Sequence, residues 1–320
     1  MTENKKELIS IIIPCYNEED GLDNFFIELQ KATEQIANTE KEFWFIDDGS
    51  IDKTLQIIKE FVEKDKRVRY ISFSRNFGKE AAIQAGMEHA KGNYVVIIDA
   101  DLQDPPELLP DMYREVKENG YDSAAARRVN RKGEPRIRSF FSCLFYKIMR
   151  KMTGVEIADG ARDYRLMNRK FTDAVLRLSE YNRFSKGLFA WVGFRTKWVE
   201  YENVTRAAGE SKWTFFALLK YAISGIVTFT TVPLVISSFM GIIFCAVAFL
   251  AVVFIIVRKC LFGDPVAGWA SLACIMTFLS GIQFLVMGIF GQYLAKMYLE
   301  IKARPLYLVR EMSADSKLCE

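Results

Sequence analysis

Two long stretches of this 320-residue chain carry no charged side chain, and they restrict its fold more than any other feature. Tyr221–Val257 and Val266–Ala295 contain no Asp, Glu, Lys or Arg. Because a helix needs roughly 20 apolar residues to cross the hydrocarbon core of a bilayer, both stretches are long enough to span a membrane. The connection between them, 258–265, is short. We therefore expect a transmembrane hairpin of two helices, at about 231–257 and 267–294.

The N-terminus and the flanking charges predict that both ends of this hairpin face the cytoplasm. Met1–Glu7 is polar, and the apolar run that follows, Leu8–Ile13, is too short for the hydrophobic part of a signal peptide. Basic residues favour the cytoplasmic side, and those outside the hairpin outnumber Arg258 and Lys259 in its loop. The outside residues are Lys212, Lys220, Lys296, Lys302, Arg304 and Arg310.

These patterns divide the chain into four predicted parts in a multi-pass protein of the plasma (inner) membrane. They are a cytoplasmic domain over 1–210, a juxtamembrane amphipathic segment over 211–228, the two helices within 229–295 and a cytoplasmic tail over 296–320. Small residues of the second helix allow close helix packing, which is compatible with a homo-oligomer without requiring one. These residues are Gly281, Gly288 and Gly291.

The first 126 residues alternate between short apolar runs and amphipathic segments. Runs rich in β-branched residues predict strands, and helical spacing of apolar residues predicts helices. The predicted strands are Leu8–Ile13, Phe43–Ile46, Val68–Phe73, Tyr94–Ile98 and Asp122–Ala126. The predicted helices are Leu22–Ala37, Lys53–Lys64, Lys79–Ala90 and Glu107–Lys117. This order is typical of a doubly wound, Rossmann-like α/β domain with a mainly parallel sheet, which binds ligands at the carboxyl ends of its strands.

The polar cluster Asp99-Ala100-Asp101-Leu102-Gln103-Asp104 directly follows the fourth predicted strand. Asp99 and Asp101, two residues apart, can both reach one hard cation. Mg²⁺ and Mn²⁺ prefer oxygen ligands and are usually shared with substrate phosphates. The alternative is a solvated acidic turn without a ligand.

Two further clusters at strand ends predict a nucleoside site beside it. Asp47 and Asp48 follow the second strand, where a carboxylate can accept from a nucleobase N–H or from ribose hydroxyls. The segment Pro14–Glu18 follows the first strand, and Tyr16 within it can stack on a base. Each cluster alone also fits a turn with capping acids, but together they predict a ligand site at one edge of the sheet.

A basic segment, 127–151, contains nine Lys and Arg residues and one acid, Glu134. Apolar residues between Ile137 and Met152 fall on one helical face, which predicts an amphipathic helix at about 136–152 on the membrane surface. A helix packed against the core with a solvated basic face is the alternative. Nucleic-acid binding is a third interpretation, and the membrane stretches argue against it.

The cysteine and histidine content gives no support to a Cys/His metal site or to Ser/His/Asp catalysis. The six cysteines are scattered, with no CxxC or Cys/His cluster, so we expect reduced thiols that pack as small hydrophobic groups. The single histidine, His89, lies within a predicted helix, and we expect it on the helix surface.

The order and spacing of the polar motifs resemble those of the family 2 inverting glycosyltransferases, which have the GT-A fold. The polyprenyl-phosphate branch, with the dolichol-phosphate mannose synthases and bactoprenol glucosyltransferases, is the most similar. The resemblance covers nearly the whole chain. The matching motifs are Pro14-Cys-Tyr-Asn-Glu18, Asp47-Asp-Gly-Ser50, Arg75-Asn-Phe-Gly-Lys-Glu80, Asp99-Ala-Asp-Leu-Gln-Asp-Pro-Pro106, Asp163-Tyr-Arg-Leu-Met167, Arg183-Phe-Ser-Lys-Gly187, Gly209-Glu-Ser-Lys-Trp213 and Lys302-Ala-Arg-Pro-Leu-Tyr307.

This resemblance implies roles for individual residues. The nucleotide-sugar site would comprise Pro14, Tyr16, Asn17, Glu18, Asp47, Asp48, Lys79, Asp99, Ala100, Arg127, Arg206, Ser211 and Lys212. Mg²⁺ or Mn²⁺ would be surrounded by Asp99, Asp101 and Gln103. The catalytic residues would be Asp101, Asp163 and Arg165. Many relatives have Gly before the residue that matches Asp163, whereas this chain has Arg162, which leaves the local charge open.

The implied reaction is inverting transfer of a sugar, from a donor of UDP-glucose or UDP-GlcNAc type, to undecaprenyl or another polyprenyl phosphate. The product would be a lipid-linked sugar donor for cell-envelope glycosylation. A phosphate monoester has a second pKa of about 6, so the acceptor is already largely dianionic at neutral pH. We therefore hypothesise that Asp163, the position proposed as base in this branch, orients the acceptor or Arg165 and that deprotonation is secondary.

Two other functions stay open at this point. A processive polysaccharide synthase shares the DxD site, but such enzymes usually carry a Gln-x-x-Arg-Trp motif and more membrane spans, whereas this chain has Ser211-Lys-Trp213. A non-catalytic membrane scaffold or lipid-binding subunit would not need the metal and nucleotide residues that are present. The sequence does not identify the sugar, the prenyl length or the oligomeric state.

Overall fold

The computed structural model describes four ranges of the chain, which are 6–129, 160–201, 232–262 and 268–313. They belong to two compact units. The first unit is Met1–Trp213 together with Arg304–Glu320, and the second is Thr214–Ala303. The predicted interfacial helix at 136–152 and the predicted segment 211–228 lie outside the described residues.

The first unit contains an eight-stranded sheet with the order β7-β5-β6-β4-β1-β2-β3-β8. The strands are β1 (Glu7–Cys15), β2 (Thr39–Asp47), β3 (Val68–Phe73), β4 (Tyr94–Ile97), β5 (Ser123–Arg128), β6 (Ala161–Asn168), β7 (Thr196–Tyr201) and β8 (Val309–Met312). The pairs β4/β1, β1/β2 and β2/β3 in its centre are parallel, as is β5/β7. The prediction of an α/β domain with a mainly parallel sheet is thus confirmed.

Helices of this unit cover the two faces of the sheet. They are α1 (Leu22–Glu34), α2 (Thr54–Lys64), α3 (Lys79–His89), α4 (Leu109–Lys117), α5 (Arg169–Leu176) and α6 (Ser185–Trp191). A 3₁₀ turn over Pro106–Leu108 precedes α4. β1 is buried on both faces, with Ile11 and Ile13 in one hydrophobic cluster and Ile12 in the other. Gly86 of α3 packs directly on Ile12, where a Cβ would lie 2.2 Å from the isoleucine Cγ2.

The antiparallel strand β6 connects the second half of the sheet to the carboxyl end of β4. It pairs with β4 so that Tyr94 lies opposite Asn168 and Ile97 opposite Arg165. Continued for two residues beyond the ladder, this register brings Asp163 beside Asp99. The strand therefore adds a further acidic residue to the edge of the sheet where the parallel strands end.

The second unit contains two long helices, α7 (Val232–Phe262) and α8 (Trp269–Lys302). Among the described residues, one stretch, Phe278–Ile301, is both long and apolar enough to cross a membrane. The described part of α7 contributes a shorter apolar stretch, Val232–Phe244. The predicted two-helix transmembrane hairpin therefore stays a prediction, as does a multi-pass location.

Candidate active site

A cavity of about 270 Å³ opens at the carboxyl ends of the parallel strands. Its lining residues are Pro14, Cys15, Tyr16, Glu18, Asp48, Asn76, Gly78, Lys79, Ala82, Asp99, Ala100 and Asp101. Apart from Cys15, Asn76, Gly78 and Ala82, all of them were predicted from the sequence as site residues. The three strand-end clusters therefore do meet at one place.

Lys79, the first residue of α3, lies between two carboxylates. Its Nζ is 2.7 Å from Oδ2 of Asp99 and 2.6 Å from Oδ2 of Asp163. These two acids come from the adjacent strand ends of β4 and β6. One ammonium group thus connects the residue that starts the DxD turn to the predicted catalytic residue.

Burial and these neighbours move the pKa values of the three groups in different directions. Burial alone would lower the pKa of Lys79, but Asp99 and Asp163 raise it well above its usual value. Burial would raise the pKa of Asp163, but Lys186, Lys79 and Arg162 together hold it below its usual range. The pKa of Asp99 is raised, chiefly by burial and also by Asp163, against the lowering effect of Lys79. Asp163 is therefore an anion at neutral pH and a weak proton acceptor.

The buried carboxylate of Asp48 fixes the loop that leads to Lys79. It accepts from the backbone N–H of Phe77 at 2.7 Å and from that of Gly78 at 2.9 Å. Burial raises the pKa of Asp48, and these two N–H groups oppose that shift. Gly49 lets this loop approach, since a Cβ there would lie 2.5 Å from the carbonyl carbon of Arg75. Asp48 thus lines the cavity and also positions the loop from which the Lys79 ammonium group extends.

Asp47 and Asn17, both predicted to bind the nucleotide-sugar, are engaged with the protein itself. Asp47 is 1% exposed, accepts from Ser72 Oγ at 2.6 Å and from the backbone N–H of Ser50 at 3.0 Å, and is not among the cavity-lining residues. Asn17 accepts from the backbone N–H of Ile51 at 3.0 Å. The Asn17 contact joins the loops after β1 and β2, and the Asp47 contacts join the end of β2 to β3 and to the turn at Ser50.

Arg162 stands where many relatives have Gly, and its side chain contacts the turn after β4 that carries the DxD motif. Its Nε lies 2.9 Å from Oδ1 of Asp104, and its Nη2 donates to Gln103 Oε1 at 2.9 Å. Asp104 is fully buried, and the Tyr201 hydroxyl also donates to its Oδ1, at 2.5 Å. Gln103, predicted to face a metal, thus already has one hydrogen bond on its amide oxygen.

Arg165 and Arg127, the two predicted site arginines that lie within the described residues, have different surroundings. Arg165 is 4% exposed and lies over the ring of Phe189, with 4.7 Å from its guanidinium carbon to the centroid. Burial lowers the pKa of Arg165 to about 10. Arg127, at the end of β5, pairs with Glu200 at 3.5 Å. Arg206, Ser211 and Lys212 lie outside the described residues.

Sequence reasoning gave no role to Glu80 and Lys186, which belong to the surroundings of Asp163. The buried Glu80 carboxylate accepts from the backbone N–H of Ser185 at 3.0 Å and from the Ser185 hydroxyl. This contact fixes the start of α6, where Lys186 contributes to the lowered pKa of Asp163. Both residues occur within the matched motifs, but only the fold shows that the two motifs meet.

The carboxylates of Asp99 and Asp101 fit a divalent cation shared with a substrate. Both line the cavity and offer hard oxygen donors. Within the described part of the chain, no group of three or more His, Cys, Asp and Glu residues could hold a metal ion by itself. A cation here would therefore take further ligands from phosphate oxygens and water, as Mg²⁺ commonly does.

Comparison with known proteins identifies the class to which this fold and site belong. The family model described as "Glycosyl transferase family 2" matches residues 10–176, and the chain is a member of that family. The predicted glycosyltransferase class is thus confirmed.

Relatives match nearly the full length of the chain. The provisionally named glycosyltransferase CsbB of Bacillus subtilis (strain 168) is 44% identical over 98% of this chain and 94% of its own. The uncharacterized glycosyltransferase sll0501 of Synechocystis sp. is 40% identical over 95% of each chain. The bactoprenol glucosyl transferase of Shigella phage SfII is 37% identical over 95% of this chain and 97% of its own.

Proposed function

We propose that this glycosyltransferase moves a sugar from a nucleotide-sugar to undecaprenyl or another polyprenyl phosphate and inverts the anomeric carbon. The observation that carries the proposal is the Lys79 ammonium, which binds Asp99 and Asp163 at the edge of the cavity. The full-length similarity to a bactoprenol glucosyl transferase supports the lipid phosphate as acceptor. The donor would be of UDP-glucose or UDP-GlcNAc type.

In this proposal the nucleobase and the diphosphate of the donor would occupy separate parts of the cavity. Tyr16 is 44% exposed beside Pro14 at the end of β1, where its ring can stack on a base. Lys79, whose ammonium group lies between Asp99 and Asp163, would supply positive charge next to the diphosphate. Asp99 and Asp101 would hold Mg²⁺ or Mn²⁺, which when bound offsets negative charge on the departing diphosphate.

The chain's own residues would place the acceptor rather than deprotonate it. In the reaction, an acceptor phosphate oxygen bonds to the anomeric carbon from the face opposite the donor. The bond from that carbon to the diphosphate breaks, and the diphosphate keeps the electron pair. Asp163 stays ionised because its pKa is lowered, and the acceptor needs no base at neutral pH. Asp163 would thus hold Lys79 in position beside the phosphate groups of the donor and the acceptor.

An apolar helix in the same chain is consistent with a lipid acceptor. Phe278–Ile301 is long enough to cross a bilayer, and its large apolar side chains include the exposed Phe278, Phe284 and Phe290. We propose that the protein is a multi-pass protein of the plasma membrane with its catalytic domain in the cytoplasm. Its product would serve as a lipid-linked donor for cell-envelope glycosylation.

The test is transfer of radiolabel from a panel of UDP- and GDP-sugars into organic-extractable undecaprenyl phosphate. Full-length protein is assayed with Mg²⁺, with Mn²⁺ and with chelator. We expect metal-dependent label in the lipid phase from one donor, loss of that label in Asp101→Ala, and retention in Asp111→Ala, which removes an exposed carboxylate on α4. Label in a water-soluble polymer would favour a polysaccharide synthase, and label in neither phase from any donor would favour a non-catalytic role.

A further inference from the structure

The chain segment that follows α8 is built into the sheet next to the loop that leads to Lys79. β8 pairs antiparallel with β3, and Val309 lies opposite Phe73, the last residue of β3. Ser74, the first residue beyond β3, donates its backbone N–H to the carbonyl of Leu308 at 2.9 Å. The tail predicted only as a cytoplasmic extension therefore covers one edge of the catalytic sheet.

Tyr307 contacts both ends of the segment that carries Lys79. Its ring stacks on Phe73, with the centroids 4.8 Å apart and the planes 19° apart. Its hydroxyl donates to Oε2 of Glu88 at 2.5 Å, one residue before α3 ends. One side chain from the C-terminal segment thus ties the end of β3 to the last turn of α3.

Phe73 connects this contact to the cavity. Its ring meets that of Phe77 edge to face, with centroids 5.8 Å apart. The backbone N–H groups of Phe77 and Gly78 donate to the carboxylate of Asp48, and Lys79 is the next residue. A displacement of Phe73 would therefore move Phe77, and with it the loop that positions the Lys79 ammonium group.

An ion pair of the segment's Glu311 is a weaker contact with the sheet domain. Lys59 binds the carboxylate of Glu311, with Nζ–O distances of 2.8 and 2.9 Å, but both side chains are more than one third exposed. Exposed ion pairs contribute little to stability. Leu308 is 55% exposed and contributes its backbone carbonyl, which a substitution of its side chain leaves in place.

We propose that Tyr307 is a positioning residue for the nucleotide-sugar site, because it holds the loop 73–78 so that Lys79 stays between Asp99 and Asp163. The kinetic consequence rests on the proposed function, whereas the ordering of the loop does not. The catalytic site would then be complete only when the segment after α8 is docked on β3.

The experiment compares Tyr307→Ala and Tyr307→Phe with the matched control Leu308→Ala, all in the full-length protein. Hydrogen exchange of the amides in 74–80 is measured together with KM for the nucleotide-sugar and with kcat. We expect Tyr307→Ala to raise exchange of these amides and the donor KM about tenfold each, since it removes both a ring stack and a hydrogen bond. Tyr307→Phe keeps the stack and should raise both about threefold, and Leu308→Ala should change neither.

Wild-type exchange and donor KM in Tyr307→Ala would overturn the proposal. A uniform rise of exchange throughout the sheet would also overturn it, since that result means general loss of the fold. If Tyr307→Ala does not fold, Tyr307→Phe and Glu88→Ala, which both keep the ring stack on Phe73 and remove the hydrogen bond, carry the same expectation of a threefold rise. Faster loop exchange in Tyr307→Ala, with no sugar transfer even by wild type, would support the positioning role and refute the proposed function.

Discussion

Lys79 balances the charge of the candidate site at the scale of a single residue. Asp99 and Asp163 belong to different strands, and this ammonium group is the cation that both of them contact at hydrogen-bond distance. The Lys79 side chain is 40% exposed, whereas the side chains of Asp99 and Asp163 are 23% and 19% exposed, so loss of the ammonium group would leave two mostly buried carboxylates close together without a compensating charge. The geometry at the strand ends therefore depends on a cation at this position.

We expect Lys79→Met to lower kcat/KM for the nucleotide-sugar by at least about 100-fold, since two oxygens lose a charged partner and the diphosphate loses a positive neighbour. Lys79→Arg keeps the charge and should retain more activity. The measurement is initial-rate kinetics on full-length protein, with Lys64→Met as control, because the Lys64 side chain is 73% exposed on α2. Wild-type efficiency in Lys79→Met would contradict this account.

The pH profile tests the role of Asp163. Its pKa is lowered on folding, so its carboxylate stabilises the fold above the unfolded value of about 3.9, and that contribution is lost only as pH falls through the lower folded pKa. Asp163 therefore does not titrate near neutral pH. We expect kcat/KM for the acceptor to rise through the second phosphate pKa of about 6 and then to level off.

Asp163→Asn should lower that plateau without moving the acidic limb. The comparison is a pH series of acceptor kinetics for both proteins between pH 5 and 9. A steep loss of turnover in Asp163→Asn that high pH relieves, with substrate binding intact, would instead identify Asp163 as the general base.

At the scale of the elements, the ion pair between Arg162 and Asp104 joins β6 to the turn after β4. Asp104 is fully buried, and the Arg162 side chain is 26% exposed. Because loss of one partner leaves a buried charge, we expect Arg162→Met to destabilise the protein by about 3–5 kcal/mol. Arg162→Met combined with Asp104→Asn should cost less than the sum of the single variants. Unfolding midpoints of the three variants measure this coupling, and additive effects would mean that the pair contributes no coupling.

The sequence was sufficient to predict the elements before Ala126, and the reason is local. Strands buried on both faces need continuous apolar runs, and each run ends at a polar turn, so both the strands and the edge that bears the site could be read. Asp163 could be assigned only by resemblance. Its place beside Asp99 depends on the antiparallel register of β6 with β4, which joins residues more than 60 positions apart. The direction of Arg162, away from Asp163 and toward Asp104, depends on the same strand.

The edge strand β8 could not be predicted for a related physical reason. It has four residues, too few for an alternating pattern to differ from chance, and its hydrogen-bond partners on β3 lie far away in sequence. The same holds for Tyr307, whose role becomes visible only when Phe73 and Glu88 are both in place. Local patterns predict which residues are buried, but they do not predict which distant residue each one contacts.

At the scale of the whole molecule, a catalytic sheet and a unit of two long helices occur in one chain that belongs to glycosyl transferase family 2. The chain leaves the first unit after β7 and returns to it as β8 after α8. A soluble acceptor would not require an apolar stretch such as Phe278–Ile301, whereas a polyprenyl phosphate is itself held in a bilayer. We therefore propose that the cavity acts on a lipid phosphate.

The most direct test of this proposal is to determine the chemical structure of the product. Full-length protein is incubated with undecaprenyl phosphate and an α-linked nucleotide-sugar, and the organic-extractable product is examined by proton and phosphorus NMR. We predict a sugar joined through its anomeric carbon to the lipid phosphate with the β configuration, as a single in-line displacement requires. A lipid-linked α product would contradict the single displacement, and a sugar joined to any acceptor other than the lipid phosphate would contradict the proposed function.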